Sequence, residues 1–362
     1  MLRSFSVSKA LIGLILLTGF VLSGCSHTSE LFRDNTTDKN ESVAYSVIYY
    51  IHADANYLYH NAAGKPGREN RQVLDEALKV AKKAESGEVF IFYQRPEKNF
   101  LGLFPRKTNR FYHYINGEKT SQVNYRHFHS DEEFLTTEAK LYNQYQTYSE
   151  DVNKRNFFLY FGHEIPDDRG NGYHQTLPDI EVNIATFSSG IQKFLKNNNQ
   201  WYDLIVLSTC NNGTPEMAAD LMPFSHVMLA SPQNLHLSHI DSQSLDLLES
   251  SPDEITNFQL ANSMAKQTYQ RLEKEIHTAI TLSVYELDVV KEYQNELRTF
   301  TTAYDTLNQK QSFSNNIDCK QASFFDEATF DKGVKTWYKP ASFGRKSYSS
   351  THSGWGCVPV IE

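Results

Sequence analysis

Two side chains of this sequence could form a nucleophile and its base, namely Cys210 and, 47 residues before it, His163. A thiolate attacks a carbonyl carbon while a neighbouring imidazole takes or holds the thiol proton, so the pair suits acyl transfer such as peptide-bond hydrolysis. The reaction also needs backbone N–H donors for the oxyanion of the tetrahedral intermediate. Spacing alone leaves two alternatives open, because Cys210 could be an inert buried thiol and His163 a histidine of a solvent-facing loop.

Both side chains follow short apolar runs that predict buried strands of a parallel sheet. Residues 156–161 (NFFLYF) precede His163, and residues 204–207 (LIVL) precede Cys210, with Ser208 and Thr209 between them. Open α/β sheets bind their ligands at the carboxyl ends of the strands. We therefore expect the two strands to be neighbours and to bring the cysteine and the histidine to one edge of the sheet.

A turn and a helix start are predicted directly after the cysteine. Residues 211–213 (Asn-Asn-Gly) are typical of a turn, Thr214 suits the N-cap, and Pro215 suits the first helical position. Glu216 complements the positive end of the helix dipole. Proximity to a helix N-terminus favours the thiolate form of Cys210.

The remaining periodicities predict further strands and helices of an α/β domain. Residues 116 and 117 (Asn-Gly) are a strong turn signal, although the expected loop around them is longer than a two-residue hairpin needs. The strand, crossover helix and strand between residues 156 and 207 predict a right-handed parallel unit. The other expected strands are 44–51, 88–93, 111–114, 122–125, 226–230 and 279–285, and the expected helices are 69–85, 132–148, 187–195, 242–248, 252–276 and 289–306.

Four segments resemble the clostripain family of cysteine peptidases, which are relatives of caspases and gingipains. The resemblance extends over about residues 43–306 and implies a caspase-like three-layer α/β sandwich, with a mostly parallel central sheet and helices on both faces. It implies that Cys210 is the nucleophile and His163 the general base, and caspases also place the histidine about 50 residues before the cysteine. The segments are residues 47–58 (VIYYIHADANYL), 156–164, 202–233 and 278–287 (TAITLSVYEL).

The chain departs from that family at two positions beside the pair. The family usually shows Asp-His-Gly, whereas this chain has Gly-His-Glu, so Glu164 replaces a glycine that commonly helps to form the oxyanion hole. The family also shows Asp-x-Cys, whose aspartate helps to select a basic P1 side chain, and here that position is Ser208. We therefore expect an altered P1 preference. The candidates for substrate binding or the oxyanion hole are Glu164, Ser208, Asn211 and Ser231, with Asp54 in a supporting role.

Competing motifs fail on physical grounds. Residues 163–167 (HEIPD) superficially match a zinc-protease helix, but the second histidine is absent and Pro166 breaks the helix. The sequence has neither a P-loop nor a Gly-x-Ser-x-Gly elbow. We predict no metal site and no cofactor, although the resemblance allows calcium without support from a motif. Two polar groups could be metal or substrate ligands, or ordinary strand-end and loop residues: His52 with Asp54, and His236 and His239 with Asp241.

The N-terminal residues predict export. Arg3 and Lys9 accompany an apolar segment at residues 10–22, and Leu-Ser-Gly-Cys ends at Cys25. This pattern resembles a bacterial lipoprotein signal, which implies removal of residues 1–24 and a lipid on Cys25. An ordinary secretory signal and a short transmembrane anchor are the alternatives. By the sorting rule of enterobacterial lipoproteins, Ser26 favours the outer membrane, with the protein facing the periplasm or the cell exterior.

The domain organisation follows from these segments. Residues 25–42 are polar and predict a flexible tether, residues 43–307 form the clostripain-like domain, and residues 308–362 form a C-terminal extension. Residues 165–178 lie between the two catalytic positions and contain Arg169, where family members can be cut during maturation.

The charge of the chain indicates which binding partners to expect, and its cysteines indicate one possible disulfide. Without residues 1–24 the chain has 33 Lys and Arg against 43 Asp and Glu, a formal charge of −10, and no basic stripe suggests nucleic acid. We expect a peptide or protein substrate and a lipid anchor. With Cys25 lipidated, Cys319 and Cys357 could pair as a disulfide and leave Cys210 outside it.

Two functions follow from the sequence. The first is a membrane-anchored cysteine endopeptidase with a Cys-His dyad. The second is a catalytically inactive clostripain-like lipoprotein that serves as a peptide-binding or envelope-interaction module, and Glu164 and Ser208 motivate it.

Overall fold

The computed structural model describes residues 43–53, 58–60, 64, 66–95, 98–100, 104–106, 109–127, 133–147, 154–167, 173, 179–195, 200–235, 238–252, 254–308, 316–344 and 349–357. The predicted signal peptide, the tether and Cys25 lie outside the described residues, as do Asp54, Arg169 and His236. Every helix in the described part of the chain is too short or too polar to cross a bilayer.

One nine-stranded sheet forms the centre of the described residues. The strands are β1 (Tyr45–His52), β2 (Leu58–His60), β3 (Pro66–Arg68), β4 (Gly87–Gln94), β5 (Lys98–Phe100), β6 (Phe104–Arg106), β7 (Asn109–Ile115), β8 (Glu118–Tyr125), β9 (Arg155–Phe161), β10 (Leu204–Ser208), β11 (Val227–Ala230), β12 (Ile280–Glu286), β13 (Ile317–Asp318), β14 (Val334–Lys339) and β15 (Gly356–Cys357). Their order across the large sheet is β14-β12-β11-β10-β9-β1-β4-β7-β8, and the pairs β2–β3, β5–β6 and β13–β15 form small separate sheets.

The middle five strands of the large sheet, from β11 to β4, run parallel. Antiparallel strands complete it on both sides, with β12 and β14 beyond β11, and β7 and β8 beyond β4. Every residue of β1, β4, β10 and β11 is buried, as the continuous apolar runs predict for strands covered on both faces. The predicted α/β sandwich with a mostly parallel sheet is confirmed.

Helices cover both faces of the sheet and enclose two apolar cores. Alternate residues of a strand point to opposite faces, so Ile48 and Tyr50 of β1 join one core while Val47 and Tyr49 join the other. The helices are α1 (Glu69–Lys83), α2 (Thr136–Tyr145), α3 (Ile184–Gln192), α4 (Pro215–Leu221), α5 (Leu247–Ser250), α6 (Asn257–Glu275), α7 (Leu287–Val290), α8 (Gln294–Asn308) and α9 (Glu327–Phe330), with 3₁₀ turns at Gln243–Asp246, Lys291–Tyr293 and Cys319–Gln321. Residues of α3, α4 and α8 contribute to the first core, and residues of α1 and α6 to the second.

Several local expectations are wrong. The helix expected at 132–148 is limited to Thr136–Tyr145, and the helix expected at 289–306 is divided into α7 and α8 by a 3₁₀ turn. A hairpin and one helix start also differ. Ile115 pairs directly with Glu118, so Asn116 and Gly117 alone connect β7 and β8, with φ of 50° and 79°. The strands extend to this turn because Asn and Gly both tolerate the positive φ that a tight hairpin requires. The helix expected from residue 252 begins at Asn257, because Thr256 and Gln259 cap it reciprocally.

The residues after 308 add to the same sheet. β14 pairs antiparallel with β12 and forms one edge, a strand that the apolar periodicity did not indicate because its residues are only half-buried. Cys319 and Cys357 are joined by a disulfide next to the short β13–β15 pair. Trp355 is completely buried, and its indole N–H donates to the carbonyl of Phe330 (2.8 Å). The Trp355 ring also contacts the ring of Tyr285 in β12 (4.6 Å between centroids), so the extension packs on the sheet through an aromatic side chain.

Candidate active site

The candidate base and nucleophile follow equivalent positions of two neighbouring strands. β9 and β10 are parallel, with Phe161 opposite Ser208, and two more residues on each strand lead to His163 and Cys210. The Gly162 N–H donates to the Ser208 carbonyl (3.3 Å), which continues the ladder one step past the strands. His163 is exposed and Cys210 half-buried. We call residues 162–167 the base loop and residues 209–214 the nucleophile loop.

The predicted end of the nucleophile loop is confirmed. Thr214 caps α4 by accepting a hydrogen bond from the Met217 N–H (3.2 Å), and Pro215 is the first helical residue. Asn211 has a left-handed φ of 57°, a conformation that asparagine tolerates better than most residues. The chain therefore turns sharply between the cysteine and the helix, as the Asn-Asn-Gly sequence predicts.

The sulfur of Cys210 contacts the loop that follows β11. The Leu235 N–H donates to Cys210 Sγ (3.3 Å), and Sγ donates to Asn234 Oδ1 (3.1 Å). The first contact stabilises a thiolate, whereas the second needs the S–H proton of the neutral thiol. Neither residue was predicted, although both lie five residues or fewer beyond the carboxyl end of a central strand, where ligands of parallel sheets bind.

Asn211, directly after the nucleophile, is held from three directions. Its N–H donates to the Gln233 carbonyl (3.0 Å), and its side-chain Nδ2 donates to Glu164 Oε2 (2.6 Å). Its carbonyl accepts a hydrogen bond from Nδ2 of Asn316 (2.7 Å) in the C-terminal extension. Asn211 therefore joins the base loop, the loop after β11 and the extension next to Cys210, which is a structural use of a residue predicted to bind substrate.

Glu164 and Asn212 connect the two loops. Burial raises the pKa of the Glu164 carboxyl to about 7, the hydrogen bond from Asn211 opposes the shift, and the negative charge of Asp167 adds to it. Near neutral pH the Glu164 carboxyl is therefore present in both its neutral and its ionised form. The Asn212 side chain accepts from the Ile165 N–H (2.9 Å) and donates to the Ile165 carbonyl (2.8 Å), so it pairs with the main chain of the base loop as a strand would.

The two candidate serines hold the loop after β11. The Ser208 hydroxyl accepts a hydrogen bond from the Ile240 N–H (3.0 Å). The Ser231 hydroxyl donates to the Gln233 carbonyl (2.7 Å) and accepts from the Gln233 N–H (3.3 Å). Both serines are buried, so their hydroxyls fix the conformation of a loop that contacts the sulfur.

A buried ion-pair network fixes the far end of that loop. His239 contacts Glu69 through Nδ1 and Glu76 through Nε2 (3.4 Å), and Arg271 donates to both carboxylate oxygens of Asp241 (3.1 and 2.9 Å). Burial opposes a charge on His239, but the two glutamates raise its pKa to about 9. A protonated imidazole cannot ligate a metal, and Arg271 already neutralises Asp241, so these groups suit an internal ion-pair network better than calcium.

His52, at the end of β1, contributes to a group of stacked rings beneath the base loop. Its ring stacks on Tyr173 (4.9 Å between centroids), and its Nδ1 lies 3.4 Å from the Tyr160 hydroxyl. Tyr173 in turn donates its hydroxyl to the His163 carbonyl (2.7 Å). His52 is completely buried, which suits the strand-end alternative, and it supports the base loop through the tyrosines.

Comparison of sequences identifies no relative, because neither a protein-family model nor a curated protein matches the chain. Solved structures do match. A secreted C11 cysteine protease from Bacteroides thetaiotaomicron, iotapain, superposes with a TM-score of 0.56 at 12% identity, covering 87% of this chain and 93% of the other. An inactive zymogen C11 protease from Parabacteroides distasonis gives a TM-score of 0.53 at 12% identity, covering 87% and 91%.

These similarities define the fold. The chain has the caspase-like α/β fold of the C11, or clostripain-family, cysteine proteases. The resemblance drawn from four sequence segments is thus confirmed for the architecture as a whole, although only about one residue in eight is identical to either structure (12%).

Proposed function

We propose that the chain is a cysteine endopeptidase in which Cys210 is the nucleophile and His163 the general base. The observation that carries the proposal is the register of β9 and β10, which places the two residues equally far past the same edge of the sheet. The fold shared with C11 cysteine proteases and the N–H that Leu235 directs at the sulfur support it.

The chemistry follows from these groups. His163 takes the thiol proton, and the thiolate attacks the scissile carbonyl carbon to give a tetrahedral oxyanion. The resemblance assigns one oxyanion donor to the main-chain N–H of Glu164, at the position of the family's glycine. The imidazolium then gives its proton to the leaving amine, and a water molecule activated by His163 hydrolyses the thioester. A peptide or protein is the substrate.

The test is removal of the sulfur. We expect Cys210→Ala to reduce hydrolysis of a casein digest and of peptide libraries by about 10³-fold or more, because the proposed acyl-enzyme forms on this sulfur. Circular dichroism and the melting temperature would show that the variant is folded. A Cys210→Ala protein that kept all of the hydrolysis of the parent would overturn the assignment.

We also propose that the P1 preference is not for Arg or Lys. Ser208 is neutral and its hydroxyl is engaged by the Ile240 N–H, so the position that carries an aspartate in the family offers no charge to a basic side chain. In a library with varied P1 residues, the parent protein should disfavour Arg and Lys. Ser208→Asp should shift kcat/KM toward these residues by about tenfold, whereas Ser208→Ala should not.

The proposed location is a membrane surface. The lipobox-like sequence ending at Cys25 supports a lipid anchor, and Ser26 supports the outer membrane, facing the periplasm or the cell exterior. Metabolic labelling with palmitate in a bacterial host tests the anchor. Labelling that persisted in Cys25→Ala would refute it, and sucrose-gradient fractionation of the labelled protein tests the membrane.

A second candidate is a peptide-binding module without catalysis. Two observations at the site favour it. The Cys210 S–H donates a hydrogen bond to Asn234, and Glu164 places a carboxyl group where the family has glycine. An acyloxymethyl ketone peptide probe separates the two candidates. Labelling of Cys210 that His163→Ala suppresses supports the peptidase, whereas peptide binding by the folded protein without labelling supports the module.

A further inference from the structure

The nucleophile loop is bonded to a part of the chain more than 100 residues away, the short sheet of β13 and β15. Asn316 Nδ2 donates to the Asn211 carbonyl (2.7 Å), and the Gly356 N–H donates to the Gly213 carbonyl (3.0 Å). The two donors are adjacent in space, since a Cβ added to Gly356 would lie 3.3 Å from Asn316 Nδ2. The C-terminal sheet and the residue before it therefore hold the nucleophile loop by hydrogen bonds to two carbonyls, those of Asn211 and Gly213.

The donor groups are held firmly in place. Asn316 is 7% exposed and directly precedes β13, whose Asp318 pairs with Gly356 of β15. The disulfide between Cys319 and Cys357 closes this pair covalently. A Cβ at Gly356 would lie 2.5 Å from the Pro232 carbonyl oxygen, so glycine is required for β15 to lie this close to the loop after β11.

Asn211 is the residue through which these hydrogen bonds can affect the position of the Cys210 sulfur. Its left-handed φ of 57° costs energy even though asparagine tolerates it better than most residues, and contacts on three sides stabilise it. Asn316 supplies a contact to its carbonyl, while Gln233 and Glu164 bind its N–H and its side chain. Rotation of the peptide unit between Asn211 and Asn212 would change the backbone conformation of Asn211, and so the position of Cys210 relative to the Leu235 N–H.

We propose that Asn316 is a positioning residue for Cys210, acting through the main chain of Asn211. This inference rests on the proposed function, since positioning matters only if Cys210 reacts. Asn316 touches neither substrate nor sulfur in this role. It fixes the peptide unit between Asn211 and Asn212, and with it the backbone conformation of the residue after the nucleophile, so that the sulfur meets both the Leu235 N–H and a scissile carbonyl in one orientation.

The test compares Asn316→Ala with Ser353→Ala in the purified full-length protein. Ser353 is buried next to the same C-terminal sheet, where its hydroxyl donates to Asp318 and accepts from the Trp355 N–H, so its variant reports loss of hydrogen bonds there without a change at Asn211. We expect Asn316→Ala to lower kcat about 10-fold to 100-fold with KM changed less than about twofold. Ser353→Ala should leave both constants within about twofold at temperatures where each variant is folded.

A second variant gives a readout that a purely structural role would not move. Asn316→Asp keeps the shape of the side chain, but its carboxylate cannot donate to the Asn211 carbonyl, whereas its protonated form can. The ratio of its kcat to that of the parent should therefore rise as pH falls. A ratio that stayed constant with pH, or a folded Asn316→Ala with parental kcat, would overturn the proposal.

Alkylation of Cys210 separates this inference from the proposed function. Iodoacetamide reacts with the thiolate without any peptide substrate, and mass spectrometry of the Cys210 peptide measures the rate at this site alone. We expect Asn316→Ala to slow alkylation several-fold at pH 7. If the parent protein hydrolyses no peptide but this difference appears, the proposed function fails and the positioning role stands; equal rates in a hydrolytically active parent overturn the positioning role alone.

Discussion

The nucleophile loop and the base loop lie side by side at the same edge of the sheet, yet they are held in different ways. In the nucleophile loop Thr209, Asn211, Asn212 and Thr214 are all buried, and its main chain is bonded to the loop after β11 and to the C-terminal sheet. In the base loop His163 is exposed, and its carbonyl is bonded to the hydroxyl of Tyr173.

The difference separates two requirements of catalysis. A nucleophile and its oxyanion donors act best when the main chain presents them in a fixed geometry before the substrate arrives. A general base can complete its contacts in the substrate complex, and catalytic hydrogen bonds of bases are often long before then. The buried nucleophile loop and the exposed histidine fit this division, and three variants test it from the largest expected effect to the smallest.

Removal of the exposed imidazole should affect chemistry alone. We expect His163→Ala to lower kcat by about 10²-fold to 10⁴-fold, the usual contribution of a general base. Because the side chain is exposed, the free energy of unfolding should change by less than about 0.5 kcal/mol. Steady-state kinetics and urea unfolding measure the two quantities.

His226→Ala is the matched control for that variant. His226 is a half-buried histidine whose side chain is 41% exposed, and its Nδ1 bonds Asp288 (2.7 Å) rather than any residue of the two loops. This control should change neither quantity appreciably. If His163→Ala destabilised the protein by several kcal/mol, His163 would belong to the fixed part of the site and the contrast between the loops would be lost.

Asn212 attaches the base loop to the nucleophile loop, so its substitution tests whether the two loops are held independently. Asn212→Ala leaves the buried N–H and carbonyl of Ile165 without their partner, which should cost about 2–4 kcal/mol of unfolding free energy. It should also lower kcat about tenfold by letting the base loop shift.

Asn183→Ala provides the comparison, because Asn183 caps α3 by accepting from the Thr186 N–H (2.8 Å). Loss of this cap should cost about 1 kcal/mol. Its kcat should stay near the parental value. Equal losses of kcat in the two variants would show that stability, rather than the link between the loops, controls activity.

The sequence predicts the strands and turns that lead to His163 and Cys210 better than it predicts the contacts that hold these two residues. Continuous apolar runs predicted β9 and β10, and Thr214 and Pro215 predicted the start of α4, because these signals are local. Asn234 carries no local signal, since it lies in a polar loop and contacts Cys210 only through the tertiary fold. Asn316 is still more distant, 105 residues from the main chain it binds.

The edge strand β14 was missed for a different reason. Its residues are half-buried or exposed and alternate weakly, so hydrophobic periodicity does not distinguish it from a loop. Its pairing with β12 is decided by backbone hydrogen bonds at the sheet edge, to which most residue types can contribute. The part of the fold that a single sequence leaves open is therefore the part whose energy comes from backbone pairing rather than from apolar burial.

The smallest effect concerns Glu164, the charged group between the two loops. Its pKa is raised to about 7, above the ordinary value of 4.5 that it has in the unfolded chain. Below pH 4.5 the carboxyl is neutral in both states, and between pH 4.5 and 7 it ionises first in the unfolded chain. This group therefore stabilises the fold at low pH, and that contribution is lost as pH rises through 7.

Glu164→Gln imitates the neutral carboxyl and can still accept the hydrogen bond from Asn211. Its unfolding free energy relative to the parent should increase between pH 4 and pH 8 by about 1 kcal/mol, less than the full shift implies because solvent screens a partly exposed carboxylate. Urea unfolding at several pH values measures this, with the exposed Glu118→Gln as the control for loss of a negative charge. A constant difference across that range would mean that Glu164 is ionised in the folded protein, and the junction between the loops would then present a negative charge to the substrate at neutral pH.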